Sequence, residues 1–478
     1  MLKFKYIFLV LFILQATLVA KTVSFHDFIK TTVAHHPQTQ VSYHEFLSSL
    51  NKNMANNAIQ DWNIFINYSK TYGSSLFGNY SSATKMNVLE AGTEHVFTDY
   101  GTRLSLSSSF TSTVNQPSFG SIAMPDNYAT TLKVQVMQPL LKNAHGIIDR
   151  YPLRLKDNLD ELAQSVYDDQ LQDFIADIST TYIQWYFTYQ MVEIIQKQVE
   201  KSAKQVAISQ RQFESNVIEE LDVILAKQNL NQNKKNLIKS QRDLAYMKQK
   251  VIFLMTGNVN SQQTEIAPEK FNFNTRPNVT QALAYIDSQS SFVSLLDLNQ
   301  ILAKDYYYLT IEETKPALDM YITQSFASSE DNQGDALSNI GSNNPTSVGL
   351  VYQKSLSNTA KISEQAAAKE DLKKIIASNE AALFNVKEMI AQMYNNLTSI
   401  EEQMVVLEQT SKLNQQVTQL ELTKFKQGRS STLSFYLTAE NRELLTQLEK
   451  NQLNMSYYLI ENQLQRMLDY YQQFIEEK

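Results

Sequence analysis

The chain has 478 residues and a formal charge of −7, from 42 basic and 49 acidic side chains. An acidic chain with interspersed lysines is a poor nucleic-acid binder, so no nucleic-acid partner is expected. It contains no cysteine, which excludes disulfides, cysteine-ligated metals and the lipid-modified N-terminal cysteine of a bacterial lipoprotein.

Lys3 and Lys5 precede an apolar run from Tyr6 to Leu14, and small residues end at Ala20. This is the pattern of a secretory signal peptide over residues 1–20. No later apolar run reaches the length of a transmembrane helix, so a mature chain that crosses a membrane must use strands. Ser24 to Gln60 reads as helix, about 55 Å long.

Trp62, Ile64, Ile66, Tyr68 and Tyr72 then alternate with Asn63, Asn67, Ser69 and Thr71, with Phe65 and Lys70 as exceptions. Period two with one apolar face marks a half-buried or lipid-facing strand. Leu104, Leu106 and Phe110 repeat the pattern, as do Leu132, Val134 and Val136. Tyr72, Phe77, Tyr80, Phe119 and Tyr128 suit an interfacial aromatic girdle. Met86 to Thr98 does not resolve, because Glu90 and Glu94 would be costly facing lipid. It suggests an extra hairpin outside a barrel, and the number of strands between Trp62 and Gln138 stays open.

From Leu153 to Thr256 there is no glycine or proline. Such a tract, rich in Gln, Glu, Lys, Leu and Ala, predicts very long helices. His145 to Asn216 would run about 105 Å and Val217 to Thr256 would return about 60 Å. A connector with Gly257, Pro268 and Pro277 leads into a helix from Gln281 to Thr314, about 50 Å long.

The plan then repeats. Leu318, Met320, Ile322 and Phe326, then Val348, Leu350 and Tyr352, predict two more strands, with Tyr321 and Val351 off pattern. Asn358 to Gln427 again runs about 105 Å, and Arg429 to Tyr470 returns about 63 Å. The chain therefore divides into repeat 1 over 21–260 (strands about 62–138, helices 145–256) and repeat 2 over 261–478 (strands about 317–353, helices 358–470). At the two turns Phe213 lies opposite Phe425, and Asn216 opposite Gly428. Asn and Gly are the residues best suited to a left-handed turn. Leu221, Leu225 and Asn229 match Leu433, Leu437 and Asn441 at the same offset.

Gln138-Pro139-Leu140-Leu141 before the first long helix, the Phe-x-x-Asn/Gly turns with their Leu-rich return helices, and Leu254-Met255-Thr256-Gly257 closing the first return occur in an order that resembles the TolC-like outer-membrane efflux protein family. The resemblance covers essentially all of the mature chain. It implies an α+β membrane protein: a homotrimer whose four strands per chain make a twelve-stranded outer-membrane β-barrel, continued by a long periplasmic α-helical barrel. It also implies an outer-membrane location in a Gram-negative cell and contact with outer-membrane lipid. The function implied is a passive exit duct for a tripartite efflux or type I secretion system, working with a periplasmic adaptor (membrane fusion) protein and an inner-membrane RND or ABC pump.

By position, the adaptor-docking tip is Phe213, Asn216, Val217 and Ile218 with Phe425, Gly428, Arg429 and Ser430, residues that could equally serve to shape two tight turns. Where well-studied members carry acids that narrow the tip, this chain has Ser434 and Leu437, so that gate is not reproduced. Asp222, preceded by Glu219 and Glu220, would form acidic rings under three-fold symmetry, or simply begin a helix where acids are favoured. Phe435 and Tyr436 offer an apolar constriction or interhelical packing. His35, His36 and His44 have no metal-site pattern around them and fit a polar helix face. No nucleophile elbow, P-loop or nucleotide fingerprint appears, so neither catalysis nor a cofactor is expected. The competing readings are a periplasmic adaptor, which would carry one hairpin among glycine-rich β domains, and a coiled-coil surface or structural protein, which would carry sustained heptads and no returning helices.

Overall fold

The computed structural model describes residues 21–77, 80–117, 125–258, 266–273, 276–427 and 433–476. The expected signal peptide and Phe119 lie outside the described residues. Two units are present: one comprises residues up to Tyr43, Tyr167–Ser291 and Phe384 onward, and the other His44–Val166 and Phe292–Leu383. Each unit draws on both sequence repeats.

In chain order, β1 (Lys21–Val23), α1 (Phe25–His35) and α2 (Pro37–Asn53) precede a 3-10 turn at Met54–Gln60 and the strands β2 (Asn63–Phe77), β3 (Tyr80–Phe97), β4 (Thr102–Pro117) and β5 (Asn127–Pro139). The helices α3 (Ile147–Glu214) and α4 (Glu220–Thr256) lead to β6 (Ile266–Pro268), α5 (Val279–Ser288) and α6 (Ser291–Thr314). Then come β7 (Ala317–Glu330), α7 (Gln333–Ser338), β8 (Thr346–Gln353), α8 (Thr359–Lys426), α9 (Ser434–Met467) and the short α10 (Gln473–Glu476). The long helices fall where the breaker-free tracts place them, and α3 and α8 are both 68 residues long.

Two expected helices are each interrupted, one by a neighbouring residue and one beside a long-range contact. The Ser24–Gln60 segment breaks at His36, which is extended at ψ 134° because it precedes Pro37. Pro37 then opens α2, where its missing N–H costs nothing. The segment from Gln281 breaks between α5 and α6. There Asp469, itself left-handed at φ 54°, accepts from the Ser291 N–H at 2.8 Å, the Tyr285 hydroxyl at 3.1 Å and the Gln172 amide at 3.1 Å. It thus caps the start of α6 from a distant part of the chain.

In the first unit, β1 and β6 pair in parallel. Tyr182 from α3 fastens that pair, donating to the Val23 carbonyl at 2.7 Å and accepting from the Glu269 N–H at 3.1 Å. Around it Phe28, Ile29, Ile175, Ile183, Trp185 and Tyr471 form a fully buried core.

In the second unit, six strands form one antiparallel sheet in the order β2-β3-β4-β5-β7-β8. Among the described residues this corrects the expected four strands per chain. The segment Met86–Thr98 is not a separate hairpin but supplies most of β3, paired along its length with β2 and β4. Register explains why its acids misled. Glu90 and Glu94 lie across from Asn67 and Asn63 on one side and from Ser109 and Ser105 on the other, so both carboxylates share the polar face.

The opposite face carries Ile64, Ile66, Tyr68, Leu89, Leu132, Ile322, Val348 and Leu350, all exposed, with Ile64 79% and Val348 68% accessible. Phe65 and Tyr321, which break the alternation, sit on the polar face for a shared reason. Each is paired with a glycine on the next strand, Gly92 and Gly349, and lies over it so closely that a Cβ there would meet the ring at about 2.6 Å and 2.5 Å. An aromatic ring covering a strand glycine restores packing that glycine lacks and pins the register.

The sheet joins α3 through a tight turn. Asn143, at φ 63°, accepts from the Ile148 N–H at 2.8 Å, donates to Asp149 at 2.6 Å, and its own N–H donates to the buried Glu312 at 3.0 Å. Gly146 lies against the turn between β3 and β4, where a Cβ would fall 1.9 Å from the Thr98 carbonyl oxygen.

Candidate functional site

Helix ends of α3, α4, α8 and α9 meet at the two interhelical turns. The first turn is a left-handed cap at Asn216, φ 56°. The Val217 N–H reaches the Gln212 carbonyl at 2.8 Å and the Asn216 N–H reaches that of Phe213 at 2.9 Å. Those two bonds satisfy the last carbonyls of α3. Gly428, Arg429 and Ser430, at the second turn, lie outside the described residues.

Beneath the turns, Ala226, Phe425, Leu433 and Tyr436 form a buried cluster against Val206, Ile218, Leu422 and Leu437. The two matched phenylalanines therefore have different surroundings. Phe213 is exposed, whereas its counterpart Phe425 is only 1% accessible. This corrects Phe425 as a docking residue: its ring is spent on packing the turns together. Ile218 and Leu437 are half-buried in the same cluster, while Asn216, Val217, Glu219, Glu220, Ser434 and Phe435 are exposed. Tyr436 resolves as packing rather than constriction.

Asp222 is 6% accessible, and its carboxylate accepts from the buried Leu433 N–H at 3.0 Å. Both alternatives offered by the sequence, a lumen acid and a solvated helix start, give way to a tie between the start of α4 and the start of α9. Next to it lies a polar layer. Tyr436 donates to Glu440 at 3.1 Å, Asn233 donates to Ser202 at 2.7 Å, and Lys201 pairs with Glu443 at 2.9 Å. Burial pushes the Glu440 carboxyl above its ordinary range, with Tyr436 and Lys201 only partly opposing the shift.

A raised carboxyl means that the folded protein holds a proton the unfolded chain releases, so stability falls as pH rises from the ordinary glutamate value through the native one. Glu440→Gln is expected to raise the melting temperature of the extracted protein at pH 7.5, with the gain shrinking towards pH 4.5. Equal gains at both pH values would show that folding does not raise the Glu440 carboxyl.

His36 accepts from the Gln38 N–H at 3.1 Å and packs against the Phe174 ring. Among the described residues, no three potential metal ligands gather.

At the level of sequence, no protein-family model and no curated protein matches the chain. Its fold is another matter. The outer-membrane channel OprN superposes with a TM-score of 0.66 at 13% identity, over 93% of this chain and 89% of that one. VceC of Vibrio cholerae, an outer membrane protein, gives 0.66 at 12% identity, covering 93% and 96% of the two chains. The chain has the TolC-like outer-membrane-channel fold. The MtrE outer membrane channel of Neisseria gonorrhoeae in its open state shares it at 0.62 and 11% identity, covering 93% and 88%. At these identities the TolC-like fold is retained although few side chains are, so the tip residues stand on this chain's own geometry.

Proposed function

We propose that the protein is an outer-membrane channel, a passive exit duct that carries substrates from an inner-membrane pump of the RND or ABC type across the periplasm and outer membrane in a tripartite efflux or type I secretion system. The observation that carries this reading is the two-faced sheet. One face exposes a band of large apolar and aromatic side chains, and the other holds Glu90, Glu94, Arg103, Lys133 and Asp319 among serines and threonines. That is the division a strand wall needs between lipid and a wet lumen. The shared fold with outer-membrane channels supports it.

Three copies around a common axis make the homotrimer. The exposed tip residues Phe213, Asn216 and Val217, with Gly428, Arg429 and Ser430, offer the docking surface for a periplasmic adaptor. Glu219, Glu220, Ser434 and Phe435 are the exposed candidates for the constriction. Outer-membrane fractionation followed by planar-bilayer recording tests the reading. Reproducible conductance steps are expected, and protein that washes off membranes with alkali and gives no steps would overturn it.

Adjacent residues on opposite faces sharpen the test. Ile322→Arg puts a charge into the lipid-facing band at a cost of about 2–4 kcal/mol at mid-depth. It is expected to abolish recovery of assembled protein from the outer membrane. Thr323→Arg, on the polar face, should assemble and alter only ion selectivity. Equal loss from both would argue that neither face meets lipid.

A further inference from the structure

The open edges of the six-stranded sheet carry an inference that rests on the channel reading. We propose that each copy contributes six strands to the membrane wall, β8 of one copy pairing with β2 of the next, so that three copies close an eighteen-stranded barrel.

Four observations lead there. The strand order runs from β2 to β8 without those two pairing, which leaves two rows of backbone groups without partners in a bilayer that offers no water. Every neighbouring pair in the sheet is antiparallel, so with an even number of strands β8 runs opposite to β2. A second copy's β2 therefore continues the alternation without a break.

The apolar face also crosses β3 and β4. Leu89 is paired with Tyr68 and Phe110, while Glu90 and Glu94 take the other face, so this hairpin has the sidedness of wall rather than of a cap. Finally, the two halves differ. One hairpin, β7–β8, precedes the 68-residue α8, whereas four strands precede the 68-residue α3. The first half thus holds one hairpin more than the second.

Barrel diameter grows with strand number. At a strand spacing of about 4.8 Å and a tilt of about 40°, twelve strands give a backbone diameter of about 24 Å and eighteen give about 36 Å. The outer-membrane section then has room for folded segments or bulky cargo, and selection of substrates falls to the helical tip.

The absence of cysteine makes cross-linking clean. One set of double variants pairs a cysteine at Ile64, Ile66 or Tyr68 with one at Val348, Leu350 or Tyr352. A second set pairs Leu104, Leu106 or Phe110 with the same β8 positions. Oxidation of outer membranes is expected to give covalent dimers and trimers from the first set and none from the second. Leu89→Cys should react with a lipid-soluble maleimide and resist a membrane-impermeant one. A ladder from the second set, or labelling of Leu89→Cys by the impermeant reagent, would place β3 outside the wall and overturn the strand count while leaving the channel reading intact. Protein absent from the outer-membrane fraction would overturn both.

Discussion

Asp222→Ala is expected to raise the open probability of the reconstituted channel on the order of tenfold, while Asp222→Asn leaves it nearly unchanged. The carboxylate accepts from a Leu433 N–H that is itself fully buried. Deleting the acceptor strands that donor in the interior, at a cost of about 1–3 kcal/mol. A bias of that size between a joined and a separated pair of helix starts changes their ratio by about 5- to 150-fold. Asparagine keeps a carbonyl oxygen for the same bond and loses only the charge, so the pair of variants separates two roles. If the charge acted in the lumen, both would change cation selectivity alike. If it ties α4 to α9, only alanine opens the tip. Single-channel recording with a salt gradient reads both quantities.

Gly146→Ala should be strongly damaging, and Gly257→Ala its control. Both glycines are left-handed at φ 65°, a conformation that costs a side-chain-bearing residue about 1–2 kcal/mol. At Gly257, which ends α4, nothing lies within 4 Å of an added Cβ, and alanine should lose only that amount. At Gly146 the added carbon falls 1.9 Å from the Thr98 carbonyl oxygen and 2.9 Å from the Gly101 nitrogen. Backbone cannot swing aside as a side chain does, so the turns of Thr98–Gly101 and Asn143–Gly146 must part, for a total on the order of 4 kcal/mol. Thermal melting in detergent and the yield of assembled protein check the difference. Equal melting temperatures for the two variants would mean that the turns do not press on each other.

The long helices were legible because nothing in 153–256 or 359–427 interrupts them, and five of the six strands of the large sheet because their apolar positions recur with period two. What escaped depends on partners distant in sequence. β3 was obscured because its positions on the apolar face of the sheet include Ala91 and Thr93, too weakly apolar to stand out against Glu90 and Glu94. Phe65 and Tyr321 read as errors in the alternation until Gly92 and Gly349 are placed beneath them. At the tip, the Asn216 turn was foreseeable from the intrinsic tolerance of asparagine for left-handed backbone. The role of Asp222 was not, since its partner lies on the other hairpin. The offset that matches Phe213 to Phe425 likewise gives no sign that one is exposed and the other buried. A duplicated sequence need not place its copies in duplicate surroundings.

The pairing of β1 with β6 makes the core of the first unit depend on segments far apart in sequence. Residues 21–23 find their strand partners only at 266–268, more than half-way along the sequence. The contacts of α1 with Ile175, Tyr182 and Trp185 are available earlier, but Tyr471 comes only at the end. Phe28, Ile29 and Val33 are therefore fully covered only when segments from both sequence repeats have come together, so neither repeat can complete this core alone.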